Sequence, residues 1–386
     1  MPRALLRTVL LRSGELRSVL LGWLTLALFM VGGRAVAFDV TFAGSASVDY
    51  RFISGPAPQT NPSPLGIAGL TVEVAQKVVA EVGHGVSFSV KACGGCHGLE
   101  VDQAYGELRF RSFLNARAGR LNVPFGEFTV RHDPTNYSTP SKPLPYAMGD
   151  MLLYTREGFN LGVVPAPWVD NGAEVFGSLS LGDTTQLDYT VYAVKGFAGD
   201  NDLDFARSRS YVDNNRTPTF GARIVLTNDD FSFGFSGAAG TYDSKDTLWF
   251  MMGGIDLYWR IGAVTLRAEG VARRTDLDPT AQYAYQVVDT FMLKAGWYGQ
   301  LDWQVTPSLT LVVRSDGLLR FGLPLPESTF QQTSRNPSAG ALRQTVAALW
   351  RFNDHFAVKA DYEWWLFTGI TEPMRHVARV AIVAGY

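Results

Sequence analysis

From residue 38 to the end of the chain, apolar side chains recur at every second position in segment after segment, and no unbroken apolar run there is long enough to cross a bilayer as a helix. A period of two is that of an extended strand, whose successive side chains point to opposite faces. In 355–366 the even positions read Phe356, Val358, Ala360, Tyr362, Trp364 and Leu366, against His355, Lys359, Asp361 and Glu363 at odd ones. In 70–82, Leu70, Val72, Val74, Val78 and Val82 oppose Thr71, Glu73, Lys77 and Glu81. Val264, Leu266 and Ala268 oppose Thr265, Arg267, Glu269 and Arg273, and Ser232 and Gly234 alternate with Phe231, Phe233 and Phe235. A soluble sheet also alternates, but rarely so often and with Trp and Tyr near the strand ends. That pattern suits a wall with lipid outside, water inside and aromatic girdles at the two interfaces.

Turn chemistry sets the strand number. Short turns fall at 83–85, 113–115, 182–185, 228–230, 261–263, 306–308 and 352–354, most of them rich in Gly, Asn, Asp or Pro, which accept turn dihedrals. Longer connections lie between them, notably 54–68, 124–171, 196–217 and 319–341. Seven short turns alternating with eight longer loops predict a 16-stranded antiparallel transmembrane β-barrel, all-β, with both termini at the short-turn, periplasmic side. Ala378, Val380, Ile382 and Ala384 alternate into the terminal Tyr386, as a last strand that closes on the first would.

The chain opens with an export signal: Arg3, Arg7, Arg12 and Arg17 precede the apolar run 19–31, and Ala35-Val36-Ala37 offers a small-x-small cleavage site. An uncleaved anchor is the competing reading, but the run falls short of the ~20 residues a spanning helix needs. Residues 1–37 are therefore expected to be a signal peptide and 38–386 an outer-membrane barrel embedded in outer-membrane lipid. Removing the leader leaves 29 basic and 35 acidic residues, net −6, which gives no footprint for nucleic acid.

The stretch 101–108, Val-Asp-Gln-Ala-Tyr-Gly-Glu-Leu, followed by 117–126, Arg-Ala-Gly-Arg-Leu-Asn-Val-Pro-Phe-Gly, resembles the phosphate-selective (O/P-type) porin family. The resemblance implies a 16-stranded barrel, commonly a homotrimer, whose long third loop folds inward and narrows the pore. Here that loop is about 124–171. The family's phosphate-binding ladder is not recognisable. Arg51, Lys77, Lys91, Arg109, Arg267 and Arg314 are interleaved with Asp49, Glu73, Glu107, Glu269 and Asp316, so phosphate selectivity is not carried over.

One motif is foreign to a simple barrel. Cys93-Gly94-Gly95-Cys96-His97 matches the C-x-x-C-H pattern of covalent haem c attachment and contains the only two cysteines of the chain. Cys93 and Cys96 would form the thioethers and His97 would ligate the iron as proximal ligand. A plain disulfide is the main competing reading in an oxidising compartment. A redox CxxC would need a βαβ context, and zinc two further ligands. With Val86, Phe88 and Val90 facing lipid, Cys93 faces the lumen, and the connection 93–98 falls at the extracellular mouth. His84 lies nine residues away at the other end of the same strand, roughly 30 Å off. The distal candidates are therefore His132, Met148 and Met151 of the third loop, with an open iron site as the alternative.

The function expected is electron transfer at the outer membrane by a porin-like barrel with one covalent haem c, acting as an electron carrier or channel rather than an enzyme. The plan is similar to the fused cytochrome-porins of iron-oxidising bacteria, although their haem segment precedes the barrel and here a strand hairpin comes first. One haem at the rim does not span an apolar band of about 25 Å, so a periplasmic or extracellular redox partner is expected. The alternatives are a passive solute or ion porin with a loop disulfide and, with an open iron site, peroxidase-like or sensing chemistry.

Overall fold

The computed structural model describes residues 39–54, 67–95, 98–147, 162–165, 167–200, 203–208, 210–278, 290–321, 338–369 and 373–386. The predicted signal peptide lies outside the described residues. In chain order the strands are β1 (Asp39–Ile53), β2 (Ile67–Gly83), β3 (Val86–Gly95), β4 (Gly98–Arg111), β5 (Leu114–Asn122), β6 (Val169–Ser180), β7 (Gln186–Val194), β8 (Ala198–Gly199) and β9 (Leu203–Asp204). They continue as β10 (Thr219–Thr227), β11 (Phe231–Thr241), β12 (Trp249–Ile261), β13 (Val264–Asp276), β14 (Phe291–Gln304), β15 (Leu309–Phe321), β16 (Ala339–Arg351), β17 (Phe356–Thr368) and β18 (Arg375–Gly385). All but β8 and β9 join one closed barrel of sixteen strands, each antiparallel to its chain neighbour. β8 and β9 make a separate two-stranded ribbon inside a long connection. Closure is the pairing of β1 with β18, from Ser45 opposite Gly385 to Ile53 opposite Val377.

The alternation read from the sequence becomes two faces. Phe88, Val90, Ile255, Val313, Val380 and Ile382 are exposed on the outside, while Lys359, Asp361 and Glu363 are buried inside. Near the short turns, Trp259, Trp303, Trp350, Phe352 and Phe356 form an exposed aromatic girdle, and Trp249, Phe291 and Phe321 stand at the opposite strand ends. An apolar outer wall bounded by aromatics is what a bilayer solvates, and a closed sheet leaves no unpaired backbone edge in it.

All seven predicted short turns separate the strands as expected. Two of the longer connections, after β1 and after β15, are shorter than expected because backbone pairing extends the strands beyond the last clear alternation, whereas the one between β7 and β10 runs over 195–218. The third runs over 123–168 rather than 124–171, since Val169, Asp170 and Asn171 already pair with β5.

The third loop supplies the barrel with an interior. After β5 the chain turns inward through three one-turn 3-10 helices, Thr129–Arg131, Pro134–Asn136 and Leu144–Tyr146. Val123, Phe125 and Leu144 are fully buried, and Phe128 and Tyr146 almost so. Gly126 shows why the local sequence is needed. Its φ is +72°, and a Cβ there would sit 1.8 Å from Glu269 Oε1 and 2.5 Å from Tyr146 Oη. Only glycine fits such a close approach in the left-handed region.

Candidate functional site

The motif-bearing strand β3 is one arm of a tight hairpin. It runs through Cys93 to Gly95, and β4 resumes at Gly98. The predicted loop at 93–98 is therefore corrected: Cys93 is a strand residue, paired with Ala75 on β2 and Glu100 on β4, and only 96–97 lie between the strands. The glycines allow this. At Gly95, φ +158°, a Cβ would lie 2.6 Å from the Val72 carbonyl oxygen, and Gly98 takes φ +89°. Cys96 and His97 themselves lie outside the described residues, as do Met148 and Met151.

Cys93 lies on the luminal side, as its parity predicts. Its thiol is half-buried, with Sγ 3.9 Å from Glu73 Oε1. Between Lys91 and Ala92 the register with β4 shifts by one residue, so that Asp102 is the extra residue on β4. Such a bulge re-aims a side chain, and here the buried Asp102 carboxylate stands 3.7 Å from Lys91 Nζ.

The structure brings His132 to the same wall. It follows the first one-turn helix of the third loop, is 3% exposed, and its Nδ1 is 2.9 Å from the Thr129 carbonyl oxygen. A carbonyl accepts only, so Nδ1 carries the proton and Nε2 the lone pair. Nε2 faces Lys91 Nζ at 3.5 Å. Lys91 also forms a close ion pair with Asp133. Burial, then the Lys91 ammonium, pushes the His132 pKa down to about 4, so the ring is neutral in ordinary buffers. Lys91 and Lys142 act electrostatically on both Cys93 and His132. His84, in contrast, sits in the short turn between β2 and β3 with φ 54°, at the far end of the strand from Cys93.

Sequence reading did not find the network that holds the loop. Arg343, Asp316 and Glu363 are fully buried on neighbouring strands. Arg343 Nη1 donates to Glu363 at 3.0 Å, Nε to Asp316 at 2.9 Å and Nη2 to the Lys142 carbonyl at 2.6 Å. Arg314 donates to Thr139 Oγ1 at 2.7 Å and the Ser141 carbonyl at 3.0 Å, and Ser141 Oγ donates to Asp361 at 2.7 Å. Tyr146 donates to Glu269, which also accepts from the Phe128 backbone at 3.3 Å. Alternation had put Arg314, Asp316 and Glu269 inside, but their partners come from a loop without periodicity.

At the short-turn mouth a cavity of about 480 Å³ reaches inward to Lys91, Asp133 and Tyr137. Among the described residues no three His, Cys, Asp or Glu side chains gather as a metal site would require.

No family model and no curated protein matches the chain. Solved structures do. The fold is similar to a loop-L8 deletion mutant of OmpT, an outer membrane protein of Vibrio cholerae, at 10% identity, covering 91% of this chain and 100% of that one with TM-score 0.56. It is similar to the outer membrane channel DcaP of Acinetobacter baumannii at 12% identity, covering 91% and 97% with TM-score 0.56. OmpF of Salmonella typhi, in complex with daunomycin, aligns at 12% identity over 90% and 97% with TM-score 0.59. The chain thus has the 16-stranded barrel fold of the outer-membrane porins. At these identities the likeness is one of fold.

Proposed function

We propose that this chain is an outer-membrane barrel that carries one covalent haem c on Cys93, Cys96 and His97 and transfers electrons at the outer membrane. The observation that carries the reading is the placement of Cys93. The first cysteine of a CGGCH sequence stands half-buried on the luminal side of a strand, its Sγ 3.9 Å from Glu73 Oε1. The donor set suits the group: two thiols for the thioethers, His97 beside them for the iron, and side-chain-free Gly94 and Gly95 between them. Haem c, when bound, supplies a one-electron couple. The protein's own residues fix the attachment strand through pairing on both sides and pack the lumen beneath it with the third loop.

The long-loop mouth, where the hairpin lies, is the extracellular side in this reading. A periplasmic or extracellular redox partner is then needed. A homotrimer is also part of the proposal, supported by the trimer form of the similarly folded Vibrio cholerae OmpT.

The test is a pyridine haemochrome spectrum of the denatured full-length protein, produced alongside a cytochrome c maturation system. The expected result is a c-type spectrum that survives denaturation and disappears in the Cys93→Ala/Cys96→Ala double variant. Absence of retained haem, while a control cytochrome matures, overturns the reading.

A second reading has its own support. The fold is shared with proteins such as the DcaP channel, and Cys93 lies in a β-hairpin whose two-residue tip holds the other cysteine. In that case the chain is a passive channel whose two cysteines form a disulfide. Thiol titration before and after reduction would then reveal two thiols only after reduction.

A further inference from the structure

We infer that the outer face of β15 and β16, centred on Gln344 and Ser315, is where a second copy of this chain docks. The inference rests on the homotrimer part of the function proposed above and stands independently of the haem.

A polar pair sits where a bilayer solvates none. Along β16, Gln344 alternates onto the same face as Val346 and Trp350, and along β15, Ser315 shares its face with Leu311, Val313 and Leu319. Those five apolar neighbours are exposed on the outer wall, so both polar side chains lie outside the barrel. They are directly opposite in register, and Gln344 Nε2 donates to Ser315 Oγ at 2.7 Å. Ser315 is the middle residue of β15, six positions from Leu309 and six from Phe321. Six residues of a strand tilted by about 40° rise about 15 Å, which puts the pair deep in the apolar band.

The pair is only partly satisfied. An amide carries two N–H donors and an accepting carbonyl, and a hydroxyl one donor of its own. Among the described residues, the second Gln344 N–H, its carbonyl oxygen and the Ser315 proton have no partner. Acyl chains supply none either. Gln76, another outward amide, shows the contrast: it donates to the Ala43 and Lys77 carbonyls at 3.2 Å each and accepts from the Tyr386 hydroxyl.

The unused groups include both donors and an acceptor, so the patch is complementary to itself. The amide N–H of one copy can donate to the Gln344 carbonyl oxygen of the next, and the same bond repeats around a cyclic assembly. The surface also admits a close approach. Ser315 is opposite Gly299 on β14, where a Cβ would meet nothing within 4 Å, and small residues let two membrane-embedded walls come together. Trp364, opposite Gln344 on β17, and the exposed Trp297, two residues from Gly299, offer aromatic contact area beside that hollow. Across the barrel, the outer wall of β10 to β12 carries Phe220, Ile224, Phe235, Met251 and Ile255, which lipid alone satisfies.

The experiment uses the full-length chain in the outer membrane of the expressing cells. Photo-reactive p-benzoylphenylalanine replaces Gln344 or, as a control, Ile255. Irradiation should give an adduct of twice the monomer mass, built from two peptides of this chain, at position 344 and not at 255. Gln344→Leu, checked for the heat-modifiable migration of a folded barrel, should lower the temperature at which the oligomer dissociates in mild detergent. A position facing lipid would show the reverse, since leucine suits hydrocarbon better than an amide. If the wild type is an oligomer, absence of the adduct, or an unchanged or raised dissociation temperature, overturns this face and leaves the homotrimer to another. An adduct with a different protein overturns the second copy as occupant. A monomeric wild type overturns both this face and the homotrimer, so the two failures are separable.

Discussion

Replacing Arg343 by alanine should unlatch the third loop and cost the barrel several kcal/mol. Its guanidinium has no exposed surface and serves three partners from different parts of the chain: Asp316 on β15, Glu363 on β17 and the Lys142 carbonyl of the loop. Alanine would leave two fully buried carboxylates short of their main cation. Breaking a buried pair from one side costs about 3–5 kcal/mol. The structure puts this case near the lower bound. Asp316 keeps Arg314 at 3.0 Å and the Leu144 N–H at 3.1 Å, while Glu363 keeps the Trp365 indole N–H at 2.9 Å and Arg379 at 3.5 Å. A loss of about 3 kcal/mol is therefore expected, roughly a hundredfold in the folded-to-unfolded ratio. The assay is urea unfolding of the barrel in detergent, followed by tryptophan fluorescence at low and high salt. Because Arg343, Asp316 and Glu363 are fully buried, the loss should be nearly the same at both salt concentrations. The loop stretch 139–142 should also become cleavable by protease added to folded protein. A loss below about 1 kcal/mol, the range of an exposed ion pair, would refute the latch.

Three further outcomes follow from particular residues. Gly126→Ala demands a left-handed alanine and drives its methyl group into Glu269 Oε1, 1.8 Å from the ideal Cβ position. It should cost at least about 1 kcal/mol, and an unchanged urea midpoint would count against the inward path of the loop. Ile255, exposed at the middle of β12, should tolerate Leu but lose about 2–4 kcal/mol as Arg if it faces the bilayer core; equal stability of the two variants in lipid vesicles would contradict that placement. His132 binds a proton less readily folded, where its pKa is about 4, than unfolded, near 6.5, so the unfolded chain holds more protons between those values. Its contribution to stability is therefore complete above about pH 6.5 and declines as the pH falls toward 4. His132→Gln should flatten the urea midpoint between pH 7 and 5, and an unchanged slope would show that other groups dominate.

The wall of the barrel was legible in the sequence because lipid and lumen impose opposite demands on alternate residues. Phe88 and Val90 outside, with Ser87, Ser89 and Lys91 inside, needed only the strand period to be placed. The turns were legible for a similar local reason, since residues such as Gly83, Gly85 and Gly262 adopt left-handed backbone angles there. The bulge at Asp102 was not, because one extra residue leaves no compositional mark and is fixed by what Lys91 requires on the luminal side. The extent of the hairpin was misread in the same region. Gly94 and Gly95 look like loop residues, yet both continue the pairing of β3, opposite Val74 on β2 and Leu99 and Gly98 on β4.

The interior carries the deeper lesson about luminal charge. In a water-filled pore, interleaved acids and bases would face solvent and set selectivity. Here the third loop takes up many of them as hydrogen-bond partners: Glu269 receives Tyr146 and Phe128, Asp361 receives Ser141, and Arg314 and Arg343 hold successive loop carbonyls. Buried backbone without periodic structure must find such partners or lose about 1–3 kcal/mol for each polar group left unpaired. The charges therefore fold the loop as much as they line a passage. That use of charge is also what fixes His132 beside the strand that ends in the cysteine motif.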